Sequence, residues 1–172
     1  MGNIISFKEI LSSKDVKIFH GSDILIKNPK IIQPIRALDF GQGFYTTTNI
    51  EQAKSFAKKV QDRNDSAETH ISIYTLNTDI LNKLNYLFFN KPDKKWLDFA
   101  SANRNGTYNG KIFDVIFGPV ANDTVFKTFI AYQNGILNEK ETLKRLKIRK
   151  LYNQLIFTNE EALKCLQFFG EV

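Results

Sequence analysis

The sequence predicts a single mixed α+β domain, and three features of it carry that prediction. Short β-favouring runs alternate with segments of helical period along the chain. The helical segments open on capping residues. No linker, internal repeat or low-complexity tract interrupts them. At 172 residues the chain suits one domain, residues 1–172, with a core that needs no disulfide or metal staple. The motifs singled out below fall within residues 17–169.

A short apolar pattern (Ile4, Ile5, Ile10, Leu11) comes first, and a strand from Val16 to Phe19 then runs into His20-Gly21-Ser22. Residues 24–35 read as extended, because Pro29 and Pro34 exclude a helix and a central strand. Phe44-Tyr45-Thr46-Thr47 favours a strand. Thr48-x-x-Glu51 has the form of a capping box, and Ile50, Ala53, Phe56 or Ala57, and Val60 recur at helical spacing to about Gln61. Residues 62–68 are a polar loop, His70–Leu76 a strand, and Asp79–Phe89 a helix or turn-rich segment. Pro92-Asp93 opens a helix through Trp96, Phe99, Ala100 and Asn103. Between the turn signals Asn105-Gly106 and Asn109-Gly110 and the stop at Gly118-Pro119, the run Ile112–Phe117 reads as a buried strand. Asn122 or Asp123 caps a helix closed by Gly135, and Asn138-x-x-Glu141 begins another that carries Lys144, Arg145, Lys147, Arg149 and Lys150. Leu151–Phe157 is the last expected strand, and Thr158-x-x-Glu161 caps a final helix with Ala162, Leu163 and Leu166.

Composition excludes several classes of function. A single cysteine, Cys165, forms no intramolecular disulfide, and His20, His70 and Cys165 are too scattered to suggest a zinc site. No apolar run is long enough to span a bilayer and no secretory leader pattern is present, so the expected location is the cytoplasm. Met1-Gly2-Asn3-Ile4-Ile5-Ser6 matches the myristoylation pattern, a motif short enough to arise by chance. The formal charge of +6 makes an anionic partner physically easy without naming one.

Residues 39–48, Asp-Phe-Gly-Gln-Gly-Phe-Tyr-Thr-Thr-Thr, concentrate two glycines, three aromatics, a carboxylate and three hydroxyls. Gly41 and Gly43 permit backbone conformations or close approaches that a Cβ would block. Because side chains alternate along a strand, Phe44 and Tyr45 cannot both face the core, so one ring is left for a pocket or for solvent. A hairpin or bulge without chemistry would have the same composition. Asp39-Phe40-Gly41 spells a kinase metal-binding tripeptide, but no other kinase signature accompanies it. Gly41-Gln42-Gly43 begins a dinucleotide fingerprint, but Thr46 stands at the third glycine.

The order of these pieces, a strand ending in His20-Gly21-Ser22, then Asp39-Phe40-Gly41-x-Gly43-Phe44-Tyr45-x-Thr47, then a late strand with Gln154, resembles an ADP-ribosyltransferase. More closely, the chain is similar to a bacterial family of unknown function that is placed in that superfamily and is often encoded beside a small antitoxin. The similarity runs from His20 through Gln52–Ala57, Phe113–Asp123, the Gln154 strand and the Thr158 helix. It implies an α+β fold of ADP-ribosyltransferase type, a split antiparallel β-sandwich with flanking helices, and a cleft that holds NAD as co-substrate. It also implies the toxin of a toxin-antitoxin or anti-phage system, which transfers ADP-ribose to a protein or nucleic-acid acceptor. Residue by residue, His20 would bond the adenosine ribose, Gly21 would offer its backbone to the nicotinamide carboxamide, and Ser22 would assist on the nicotinamide ribose. Tyr45 would stack on the nicotinamide, and Gln154 would grip the ribose 2′-hydroxyl, where the superfamily commonly has glutamate.

Breaking the nicotinamide glycosidic bond develops oxocarbenium character, so such a site must hold the ribose, bind the leaving ring and set electron-rich groups near the sugar. A glutamine accepts the hydroxyl's hydrogen bond but supplies no charge. Asp39 and Asp123 are the candidates to supply it, and their plainer roles are a turn and a helix cap. With Gly43 they complete the expected cofactor-binding set; Phe44, Trp96 and Phe113 are expected in the core or the pocket wall. Two rival functions remain: an NAD-binding pseudo-enzyme, and a basic RNA-binding module centred on Lys144–Lys150, for which His20 and Tyr45 would be incidental.

Overall fold

The computed structural model describes residues 6–33, 37–120, 123–147 and 152–172, with the backbone alone at 123, 124 and 147. Among the described residues, seven strands form one sheet. They are β1 (Lys17–Ser22), β2 (Phe44–Thr47), β3 (His70–Leu76), β4 (Tyr86–Phe88), β5 (Val115–Pro119), β6 (Asn153–Phe157) and β7 (Leu166–Glu171), in the order β4-β5-β6-β2-β1-β3-β7. The helices are α1 (Phe7–Ser12), α2 (Ile50–Asn64), α3 (Thr78–Leu81), α4 (Lys94–Arg104), α5 (Asp123–Gln133), α6 (Glu139–Lys147) and α7 (Glu160–Leu163). The chain is thus a mixed α+β domain, as its pattern predicts. The sheet is not wholly antiparallel, because β4 runs parallel to β5.

Alternation along each strand sorts the core into two faces. On one face Ile18, Phe44, Tyr74, Val115, Phe117, Leu155 and Phe157 pack with Phe7 and Ile10 of α1, Leu81 of α3 and Ala162 and Leu163 of α7. The other face is covered in two blocks. Over β5 and β6, Ile116 and Ile156 meet Trp96, Leu97 and Ala100 of α4, Val125 and Phe129 of α5 and Leu146 of α6. Over β1 and β3, Phe19 and Ile71 meet Ala53 and Ala57 of α2.

Several expectations need correction: the buried strand expected at Ile112–Phe117 runs instead from Val115 to Pro119 with Ile112 exposed, α2 continues to Asn64, and Asn159 rather than Thr158 caps α7. The final helix stops at Leu163, and Leu166–Glu171 form β7, whose inward and outward positions alternate strictly. Its period of two outweighs the helical spacing of Ala162, Leu163 and Leu166. Within Asp79–Phe89, only Thr78–Leu81 is helical and Tyr86–Phe88 forms β4, a strand too short for periodicity to reveal. The caps fall close to their expected places. Asn49, rather than Thr48, caps α2 by accepting from the Gln52 N–H. Asp93 caps α4, and Asn138 and Glu141 make the reciprocal box. Asn122 and residues 148–150 lie outside the described residues.

Candidate active site

The three strands that carry the motifs, β6, β2 and β1, are consecutive in the sheet. Phe19 of β1 stands opposite Thr47 of β2, and Thr47 stands opposite Gln154 of β6. Yet β1 treats its two neighbours differently. With β3 it keeps register over its whole length, from Lys17 opposite Thr75 to Ser22 opposite His70. With β2 the single registered pair is Phe19–Thr47. Past Phe19, His20-Gly21-Ser22 therefore has a backbone partner on the β3 side and an open seam on the β2 side, bounded across the gap by Phe44 and Tyr45.

His20 crosses this seam. Its Nδ1 lies 2.7 Å from the Tyr45 carbonyl oxygen, and its ring stacks on Phe44 with centroids 4.3 Å apart. A carbonyl only accepts, so Nδ1 carries the hydrogen and Nε2 keeps its lone pair. No described residue partners Nε2. Burial pushes the imidazole pKa below its ordinary value, and the bond to the Tyr45 carbonyl opposes this only in part. Nε2 of the neutral ring is therefore left as a hydrogen-bond acceptor.

Gly21 is bare for a packing reason. A Cβ there would come 2.1 Å from the Ala53 carbonyl oxygen and 2.9 Å from the Ala57 nitrogen, so α2 lies directly against the β1 backbone. Ser22 is buried and donates to Asp23 Oδ1 at 3.2 Å. Asp23 in turn accepts from Ser66 at 2.6 Å and Asn64 at 2.9 Å. These bonds, led by the one from Ser66, hold its carboxyl at about 2 and tie the end of β1 to the end of α2.

Tyr45 is half-buried on the face opposite His20. Its hydroxyl donates to the Gly41 carbonyl at 2.6 Å and accepts from the Phe40 N–H at 3.3 Å, which closes the loop leading into β2. Gly41 bends that loop with φ +77°, where a side chain would be strained. At Gly43 a Cβ would meet Ile156 Cγ2 at 2.5 Å, so this glycine's bareness serves the contact with β6. Burial, then the charge of Asp39, raises the Tyr45 phenol far above its usual range and keeps it protonated.

Asp39 is buried and paired with the Arg104 Nε of α4. Its charge is taken up by the guanidinium. Gln154 is buried in the same row as Thr47 and Gly118, with Nε2 3.5 Å from the Pro119 carbonyl, an oxygen that also accepts from Trp96 Nε1 at 3.0 Å. Trp96 and Phe44 lie in the core as expected, and Phe113 packs against it. The side chain of Asp123 lies outside the described residues. The fold thus brings His20, Gly21, Ser22, Tyr45 and Gln154 onto three adjacent strands, with His20 and Ser22 on one face and Tyr45 and Gln154 on the other.

Residues 16–168 match the family model described as protein of unknown function (DUF3990). The chain belongs to the DUF3990 family. Neither the curated proteins nor the solved structures gave a significant match. The DUF3990 span begins one residue before β1 and ends within β7, so it takes in the seam and all three motif strands.

Two residues of this DUF3990 chain make contacts at the site that no sequence pattern assigns. Arg104 reaches Asp39 across 65 positions, a pairing that only the tertiary fold creates. Gln52 Oε1 accepts from the Thr47 hydroxyl at 2.8 Å, which anchors the first turn of α2 beside the Gln154 row. Phe56 is 41% exposed while Ala57 is fully buried. Helical spacing offers either residue to the core, and the close approach of α2 to Gly21 selects the smaller one.

Proposed function

We propose that this protein is an NAD-dependent ADP-ribosyltransferase, with the sheet opened between β1 and β2 in the manner of a split sandwich and NAD lying in the opening. The observation that supports this reading best is the seam itself. The three motif strands are neighbours in the sheet, and β1 leaves its partner β2 at the residue before His20.

Each residue's chemistry fits a part of NAD. The lone pair of His20 Nε2 suits an adenosine-ribose hydroxyl, because the opposite nitrogen is committed to the Tyr45 carbonyl. The seam-side backbone of Gly21 suits the carboxamide, which both donates and accepts. Tyr45 offers a ring face fixed at its hydroxyl end. Gln154 suits the 2′-hydroxyl of the reacting ribose. In the reaction the C1′–N bond to nicotinamide breaks and its electron pair leaves with the ring. A bond forms from C1′ to a nucleophile of the acceptor, whose proton passes to water. Acceptors would be macromolecular, and a small antitoxin protein would be the natural restraint on such a cytoplasmic toxin.

Incubation with NAD tests the reading by nicotinamide release, with mass spectrometry for ADP-ribose on acceptors in lysate. We expect wild type to release nicotinamide and Gln154→Ala to lose ~10²-fold in kcat, with a smaller change in KM, since a preorganised contact to the reacting sugar acts mainly in the transition state. Because Arg104 neutralises Asp39, Gln154→Glu should retain or raise activity. A fall at neutral pH would mean that another carboxylate already serves the sugar. Equal rates in wild type and both variants, with folding intact, would overturn the assignment of Gln154.

A further inference from the structure

The chain's net charge is unevenly distributed. Residues 91–150 hold twelve lysines and arginines against six acidic residues, a net +6, which equals the formal charge of the whole chain, so the remaining residues balance at zero. This stretch contains α4, β5, α5 and α6. Their helices form the block packed over β5 and β6, the block that touches Tyr45. Lys95, Lys127, Lys140, Lys144 and Arg145 are exposed on it.

Helix α5 also presents aromatic and apolar surface. On α5, Phe126 and Ile130, one turn apart, are 39% and 40% exposed, with Lys127 exposed beside them. The guanidinium of Arg104 stands 4.5 Å from the Phe126 ring centroid. Arg104 also pairs with Asp39, which begins the loop closed by Tyr45. One continuous path therefore runs from the exposed ring on α5 to the candidate site. On the other side of the block, Trp96 of α4 and Gln154 share the Pro119 carbonyl.

We infer that the exposed face of α5, with the neighbouring cations of α4 and α6, is the docking surface for a single-stranded nucleic acid, the acceptor of the proposed transfer. The charge favours a polyanion over an acidic patch of ordinary size, since a strand presents a phosphate at every nucleotide and releases counterions at each contact. The ring favours a single strand, because an unpaired base has a face free to stack while duplex bases are stacked on one another. The inference rests on the transferase reading for what the strand is used for, and on the exposed ring of α5 and the cations of α4, α5 and α6 for where it binds.

The test uses the full chain, without NAD, and labelled single-stranded RNA and DNA of mixed sequence in fluorescence anisotropy. Binding should weaken steeply with salt. In Lys127→Glu, Lys144→Glu, the salt slope should shrink by roughly one per cation removed. Phe126→Ala should weaken binding about ten-fold with the slope unchanged, since it removes stacking and leaves the charges. The RNA and DNA arms report which sugar is preferred. No binding at low salt, binding indifferent to all three substitutions, or tighter binding of an acidic polypeptide under the same conditions would overturn the docking surface. Nicotinamide release from NAD alone is read in parallel. Release without strand binding removes the surface and leaves the enzyme, and strand binding without release removes the enzyme and leaves the surface.

Discussion

Strand β1 has two neighbours and meets them in opposite ways. On the β3 side it is zipped from end to end, and the partnership continues outward into β7, where the His70 ring lies 2.5 Å from Glu171 and 3.5 Å from Glu68. On the β2 side it is pinned once, at Phe19, and then parts. Each side has a histidine. His70 hydrogen-bonds Glu171 of β7, a contact that ties the last strand down. His20 is held neutral against a carbonyl and a phenyl ring, with one nitrogen left over. The closed side has the interactions of a sheet that has only to stay folded. The open side leaves His20 Nε2 without a partner among the described residues, and His20-Gly21-Ser22 without registered pairs to β2.

The strongest way to break this contrast is Gly21→Ala. The added methyl would meet α2 backbone at 2.1 Å, whereas Gly170 in β7 has nothing within 4 Å of its own Cβ position. Overpacking of this kind costs about 1–3 kcal/mol or more, so Gly21→Ala should lower the urea midpoint clearly and Gly170→Ala hardly at all. If the two variants unfold alike, α2 does not bear on β1 as described.

Tyr45 sharpens the contrast on the other side of the gap. Tyr45→Phe keeps the ring and removes the bonds to Gly41 and Phe40, a loss of about 0.5–1.5 kcal/mol of stability read from the same unfolding curves. Turnover should suffer much more from Tyr45→Ala than from Tyr45→Phe, because stacking uses the ring face. Equal loss of turnover in both would assign the role to the hydroxyl.

The smallest effect is the pH dependence set by His20. Its folded pKa is lower than that of the unfolded chain, so the unfolded state binds the extra proton first and stability falls as pH drops through the usual histidine range near 6.5 towards the lowered value. Above that range the contribution is complete. Urea unfolding between neutral and mildly acidic pH should show this decline in wild type and less of it in His20→Asn. An undiminished decline in the variant would place its source elsewhere.

The sequence makes some of this legible and hides the rest for physical reasons. Helix α4 announces itself through Asp93, and the α6 start through Asn138 and Glu141, because a cap is a local bond between residues three apart. The β1 end, the Phe44–Thr47 strand and the Gln154 strand can be read from turn residues and β-favouring runs. Their adjacency comes only from the order of strands in the sheet. Short strands escape: Tyr86–Phe88 is three residues long, and Leu166–Glu171 follows a helix whose pattern overlaps it. Asp39 is legible as a turn-forming or charge-supplying carboxylate, but its partner is not, since Arg104 sits beside an Asn-Gly turn that looks like plain loop. No periodicity connects two residues on different elements.

Titration of NAD into isotopically labelled protein, followed by backbone amide NMR, tests the open seam most directly. Perturbations should concentrate at His20, Gly21, Ser22, Phe44 and Tyr45, extend to Gln154, and leave β7 and the His70 end of β3 unmoved. Shifts confined to α6, or spread along β3 and β7 with the seam silent, would contradict the account.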